Sequence, residues 1–113
     1  MSNKFQGAPQ NDTVQMGSKH EMICKPPDGF PKPSISWLHN NKPLLAKPYQ
    51  IDIVNSTDMS VLKFHQVSWE DRGAYICIAK NEEKKRNSEA AYLTVKGTFP
   101  FSFRFLFVVF FFY

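Results

Sequence analysis

Helical periodicity is what this 113-residue sequence most lacks, because no stretch keeps apolar residues at i, i+3, i+4 and i+7 for long. Cysteine is also scarce, with two residues, at positions 24 and 77. Their wide spacing excludes the Cys-x-x-Cys pairs of redox motifs and zinc knuckles. Two interpretations remain, a long-range disulfide or two free buried thiols, and a disulfide would need an oxidising compartment.

The residue groups of a catalytic or metal site are missing as well. His20, His39 and His65 fall on different segments, and no paired carboxylates, nucleophile elbow, phosphate loop or metal-ligand spacing accompanies them. We therefore predict a domain that is not an enzyme and takes no cofactor. The polar N-terminus has no signal-peptide core. An extracellular protein would have lost its signal, or the chain is a fragment of a larger protein, which we favour.

The charge is mildly basic, with a formal net value of +4. Part of it lies in Lys84, Lys85 and Arg86, beside Glu82 and Glu83. The cluster is either a solvated loop tip or a small basic patch for an acidic glycan or a charged partner. No aromatic residues interleave with these charges, so we do not expect nucleic-acid binding.

Short alternating segments separated by turn residues run along the whole chain, as expected of a β-sandwich. Eight prolines and five glycines punctuate them. We predict a turn over residues 40–43, a short edge strand at 44–45 and a polar hairpin over 81–88. The other predicted strands cover residues 13–16, 20–25, 35–39, 49–54, 61–65, 73–80 and 90–96.

The most informative segment is 71–77, which reads D-x-G-x-Y-x-C, and Trp37 follows Cys24 by thirteen residues. This order of residues resembles the intermediate set of the immunoglobulin superfamily. The resemblance covers residues 8–97 and implies an all-β sandwich of two antiparallel sheets with Greek-key connections. Residues 1–7 would form an N-terminal arm.

The resemblance also implies structural roles for the motif residues. Cys24 and Cys77 would form a disulfide between the two sheets, with Trp37 packed against it. Tyr75 would form a tyrosine corner, and Gly73 would permit close approach of the chain there.

Upstream of this corner, Leu62, Phe64 and Val67 supply the L-x-Φ-x-x-V spacing that precedes it in the family. Asp71 of the motif often pairs with an arginine in the family, but Gln50 occupies that place here. Lys47 is a candidate substitute.

A narrower resemblance lies in residues 25–37, whose P-P-x-G-x-P-x-P-x-I-x-W pattern is similar to the second immunoglobulin domain of roundabout-type axon-guidance receptors. It implies an extracellular binding module from a membrane-anchored adhesion or guidance receptor. Its partners would be cell-surface or secreted proteins, with heparan sulfate as a candidate. The alternative is an intracellular muscle-type structural domain of a titin- or twitchin-like scaffold, because such domains share the D-x-G-x-Y-x-C corner.

Two N-x-[ST] sequons, at Asn11 and Asn55, fall in predicted turns or strand edges. Together with the cysteine pair they favour an extracellular glycoprotein.

The composition changes in the tail, residues 98–113, where eight phenylalanines occur among the last fifteen residues. A membrane-spanning helix needs about 20 apolar residues, and Pro100 and Arg104 interrupt this shorter run. The tail is the start of a truncated anchor, an added hydrophobic strand, or the translation of a pyrimidine-rich noncoding stretch. We favour the last.

Overall fold

The computed structural model describes residues 1–97, and the predicted phenylalanine-rich tail at 98–113 lies outside them. A 3₁₀ turn at Trp69–Asp71 connects two of the strands. The strands are β1 (Asp12–Gln15), β2 (His20–Cys24), β3 (Ser34–His39), β4 (Lys42–Pro43), β5 (Ile51–Asn55), β6 (Ser60–Phe64), β7 (Gly73–Lys80), β8 (Lys85–Asn87) and β9 (Ala91–Lys96).

These strands form two sheets, and the predicted immunoglobulin-like β-sandwich is confirmed. The larger sheet has the order β1-β9-β7-β3-β4, with β8 paired to β7, and the smaller has the order β2-β6-β5. Strand β1 runs parallel to β9, whereas the other strand pairs of the described chain are antiparallel.

The core lies between the sheets and follows from alternation along the strands. In β9, Ala91, Leu93 and Val95 are buried while the intervening residues are exposed. Burying a large apolar side chain contributes roughly 1.5–3 kcal/mol, so this alternation decides which face of each strand turns inward. The other buried apolar residues include Met22, Ile51, Leu62, Phe64 and Val67.

The predicted turn at 40–43 and edge strand at 44–45 are wrong in position. Asn40 and Asn41 both have positive φ, at 51° and 67°, and His39 pairs directly with Lys42. This is the two-residue hairpin that asparagine favours, because asparagine tolerates the left-handed region. The strand therefore resumes at Lys42, and Leu45 is left 75% exposed.

The segment before β1 contacts the sandwich at several points. Phe5 packs against the core, and the Ser2 amide donates to the Asp28 carbonyl oxygen at 2.7 Å. Gly7 forms an isolated antiparallel bridge with Lys25, beyond the end of β2. The division of residues 1–7 from the domain stays a prediction.

Candidate binding surfaces

The three residues on which the sequence interpretation rests meet at the centre of the sandwich. Cys24 of β2 and Cys77 of β7 are disulfide-bonded and fully buried, so the bond joins the two sheets. Trp37 is the cross-strand partner of Cys77 and is 2% exposed. Its indole Nε1 donates to the hydroxyl of buried Ser60 at 2.9 Å, which satisfies both polar groups. These side chains are committed to packing and are not available to a partner.

Tyr75 forms the predicted corner, and its hydroxyl donates to the Asp71 carbonyl oxygen at 2.6 Å. Burial, with the Asp71 carboxylate as a smaller cause, raises the pKa of the Tyr75 hydroxyl well above its ordinary value. Gly73 has a φ of +126°, and a Cβ atom there would collide with the Asn40 side chain. The backbone conformation favours glycine at this position, and any other residue would also displace the Asn40 side chain.

Asp71 is satisfied locally instead of by the family's arginine. Its carboxylate accepts from the Ser68 amide at 2.8 Å and from the Ser68 hydroxyl at 3.2 Å. Within residues 1–97 it forms no ion pair with Lys47. Neither of the two positions considered from the sequence, Gln50 and Lys47, supplies its partner.

The three residues of the predicted basic cluster differ in their exposure. Lys84 lies in the turn after β7, where its amide donates to Asn81 Oδ1 at 2.9 Å, and its side chain is exposed. Lys85 is exposed at the start of β8. Arg86 is half-buried, and its Nε donates to Asn3 Oδ1 at 2.8 Å. Of these three residues, Lys84 and Lys85 are exposed, whereas the Arg86 guanidinium is held by hydrogen bonds to Asn3 Oδ1 and to the Lys85 carbonyl oxygen.

Sequence reasoning missed Lys80, the last residue of β7. It is exposed and lies directly opposite Lys85 in the β7–β8 pairing. Directly opposed residues share a face of the sheet, so two positive charges stand together beside Lys84. The register of this hairpin was the signal that could have found Lys80, because a turn over 81–84 pairs residue 80 with residue 85.

Both sequon asparagines are exposed. Asn11 precedes β1, and its Oδ1 accepts from the Tyr92 amide at 2.8 Å. Asn55 is the last residue of β5, directly before a turn in which the Ser56 amide donates to the Met59 carbonyl oxygen at 2.8 Å. Glycosylation at these positions stays a prediction.

The three histidines lie on different segments, His20 in β2, His39 in β3 and His65 directly after β6. His39 bonds to the Arg72 carbonyl oxygen at 2.8 Å, and His65 bonds to Asp52 at 2.8 Å. His20 lies 3.8 Å from the Asp12 carboxylate. Within residues 1–97 there is no group of three or more His, Cys, Asp or Glu residues placed to hold a metal ion. Among the same residues, no helix is long and apolar enough to cross a membrane.

Several large apolar side chains remain on the surface. On the larger sheet Tyr92 is 57% exposed, and near it Trp69 carries the Arg72 guanidinium 4.6 Å from its ring centre. On the smaller sheet, Ile23 and Val54 are partly exposed. Trp, Tyr and Arg are enriched at the energetic centres of protein interfaces, so these faces offer more for protein recognition than for small-molecule chemistry.

Comparisons with known proteins agree with this architecture. The chain is 32% identical over 92 residues to mouse Roundabout homolog 4, which covers 81% of this chain and 9% of that protein. It is 34% identical over 97 residues to the Caenorhabditis elegans muscle M-line assembly protein unc-89, which covers 86% of this chain and 1% of that protein. The chain thus spans less than a tenth of the length of these relatives.

Among solved structures, the titin domains z1z2 in complex with telethonin superpose with a TM-score of 0.76 at 24% identity, covering 84% of this chain and 47% of that one. This likeness concerns the fold alone. The resemblance to roundabout-type receptors is confirmed at the level of sequence similarity. The immunoglobulin I-set domain model matches residues 3–95. The chain belongs to the immunoglobulin I-set family.

Proposed function

We propose that this domain is a non-catalytic extracellular binding module of a membrane-anchored adhesion or axon-guidance receptor, of which the chain is a part. The observation that carries the proposal is the Cys24–Cys77 disulfide at the centre of the core. Disulfides persist in oxidising compartments and are rare in the cytosol. The similarity to Roundabout homologs and the two exposed sequons support the same compartment.

Recognition would use the surface, because the motif residues fill the interior. The β7–β8 hairpin offers Lys80, Lys84 and Lys85 to an acidic glycan such as heparan sulfate or to an acidic protein surface. Arg86 supports the hairpin through its bond to Asn3 and is not a contact residue in this proposal. Charge attraction of this kind is long-ranged and weakens with salt.

The compartment is tested by intact-mass measurement of the native protein under non-reducing conditions. We expect the mass of an oxidised Cys24–Cys77 pair, and glycan mass on a peptide containing Asn11 or Asn55. The matched control is the same sample after reduction and enzymatic glycan removal, in which both differences disappear. Free thiols at both cysteines would contradict the extracellular proposal, and unmodified asparagines would remove the sequons from it.

The second candidate function is an intracellular muscle-type structural domain of a titin- or twitchin-like scaffold. The 34% identity to unc-89, a muscle M-line assembly protein, favours it. In such a role the domain would transmit force or space other domains, and the cysteines would stay reduced in the cytosol. Free thiols together with unmodified sequons in the native protein are the result that this candidate requires.

A further inference from the structure

Tyr49 stands at the tip of a tight turn between the two sheets. The Gln50 amide donates to the Lys47 carbonyl oxygen at 3.0 Å, Pro48 takes the second turn position, and Tyr49 takes the third with a φ of +65°. This is the type II pattern, whose third position favours glycine or asparagine. A tyrosine held there is strained, because its Cβ crowds the backbone in the left-handed region.

The side chain of Tyr49 contributes almost no buried area to the fold. Its side chain is 93% exposed and forms no hydrogen bond within residues 1–97. Leu45, four residues earlier, is 75% exposed. Strained residues that contribute no packing are concentrated at functional sites, and an exposed tyrosine is a common interface anchor.

A groove suited to such an anchor lies elsewhere on the same domain. It runs between residues 6–12 and strand β2 and has a volume of about 410 Å³. Pro9 and Ile23 give it an apolar lining, and Ile23 is 44% exposed. Binding pockets for organic groups begin at about 300 Å³, so the groove has room for an aromatic side chain.

The charges of the groove and of the turn are opposite. Asp12 and Glu21 line the groove, together with Lys25. Asp12 lies 3.8 Å from His20 Nδ1, which also lines the groove, and within residues 1–97 Glu21 has no cationic partner within 4.0 Å. Residues 42–50 carry Lys42 and Lys47, and neither lysine is paired with a carboxylate of the described chain. The nearest carboxylate in sequence, Asp52, is bonded to His65 at 2.8 Å.

We propose that this chain binds a second copy of itself by placing Tyr49 of one copy in the groove between residues 6–12 and β2 of the other. In this contact Lys47 meets the carboxylates of Asp12 and Glu21. The turn leads into β5 and the groove borders β2, which lie at opposite edges of the smaller sheet. Each copy can therefore give its turn and receive another, either in a closed pair or in an open array.

This homophilic contact goes beyond the proposed receptor function and requires that Asn11 carry no glycan. It is tested by sedimentation equilibrium of the full chain without N-glycans, because Asn11 also lines the groove. We expect concentration-dependent association that Tyr49→Gly weakens at least ten-fold. The variant should not lower the midpoint of thermal unfolding, since it removes strain and no packing. Phe30→Ser, a change to an aromatic residue that is 89% exposed and lines neither the groove nor the turn, is the matched control and should associate like the parent chain.

A charge exchange identifies the surfaces. Lys47→Glu and Glu21→Lys should each weaken association at least ten-fold, and an equimolar mixture of the two variants should recover it as a mixed complex. Lys84→Glu makes the same charge change outside the contact and should have no effect.

A chain that stays monomeric at all accessible concentrations overturns the proposal. So does association that is insensitive to Tyr49→Gly, or a mixture that fails to recover. None of these results bears on the disulfide or the sequons.

Discussion

Tyr75 shows how a single residue of the D-x-G-x-Y-x-C motif stabilises the core of this domain. Its ring packs in the core, with the Phe64 ring edge-on at 5.8 Å and the His39 ring stacked at 4.4 Å. Its hydroxyl reaches back four residues to the Asp71 carbonyl oxygen. Tyr75 therefore combines apolar packing of its ring with one hydrogen bond of its hydroxyl. The same burial disfavours the ionised form of that hydroxyl.

Tyr75→Phe isolates that hydroxyl without changing the ring. We expect a loss of about 0.5–1.5 kcal/mol in the free energy of unfolding at neutral pH, from the lost hydrogen bond. The raised pKa of Tyr75 in the folded state stabilises the parent domain fully below the unfolded value of about 10. This contribution is lost as pH rises above that value, because the unfolded tyrosine then ionises first.

The measurement is urea unfolding of both proteins between neutral pH and about pH 11. The advantage of the parent over Tyr75→Phe should shrink above about pH 10, whereas Tyr92→Phe, at an exposed tyrosine, should follow the parent throughout. A parent-to-variant difference that is constant across this range would contradict a buried, protonated hydroxyl.

At the scale of elements, hairpin geometry decides which charges are available. The β7–β8 register brings Lys80 opposite Lys85, and the alternation of β8 turns Arg86 toward Asn3. Like charges directly opposite in a sheet are unfavourable, so an anion bound to this face would relieve their repulsion.

Replacing Lys80, Lys84 and Lys85 by alanine should weaken binding to heparan sulfate oligosaccharides roughly 10–100-fold at low salt, since each exposed charge pair contributes about 0.5–0.9 kcal/mol. The dependence of affinity on salt should also flatten. Titration calorimetry across a series of NaCl concentrations measures both effects.

The control removes the same charge elsewhere, by replacing exposed Lys19, Lys63 and Lys96 with alanine, and should bind like the parent. Arg86→Ala should reduce stability, through loss of the bond to Asn3, more than affinity. Equal loss of affinity in the two triple variants would show that only net charge matters and would remove the hairpin from the proposal.

For the whole molecule, the disulfide is the link between the two sheets. It closes a loop with a sequence separation of 53 residues. Replacing both Cys24 and Cys77 by alanine should lower the free energy of unfolding by roughly 4 kcal/mol, mainly because the unfolded chain is no longer restrained.

Urea unfolding followed by Trp37 fluorescence measures this loss, in a background carrying Trp69→Phe because Trp69 is 48% exposed and would add a second signal. The background protein with the disulfide intact is the control. A midpoint that is unchanged by the cysteine replacements would contradict a stabilising role for the bond.

The sequence by itself determined the sandwich and its core. The two-residue alternation is a local pattern, and burial leaves each strand one inward face. The order of Cys24, Trp37, Tyr75 and Cys77 carries the family resemblance that implied the core. Two strand boundaries were predicted wrongly. The edge strand begins earlier because the Asn40–Asn41 turn is short, and the strand predicted from residue 49 begins at Ile51 because Tyr49 lies in a turn.

Only the tertiary structure decided which charged side chains on the surface are open to a partner and which are hydrogen-bonded within the domain. The Arg86–Asn3 bond joins residues 83 positions apart, and Lys80 meets Lys85 through register. The strain at Tyr49 follows from a turn whose ends are joined by pairing with β5. Contacts between distant segments depend on how the sheets pack, and no local pattern of residues records that packing.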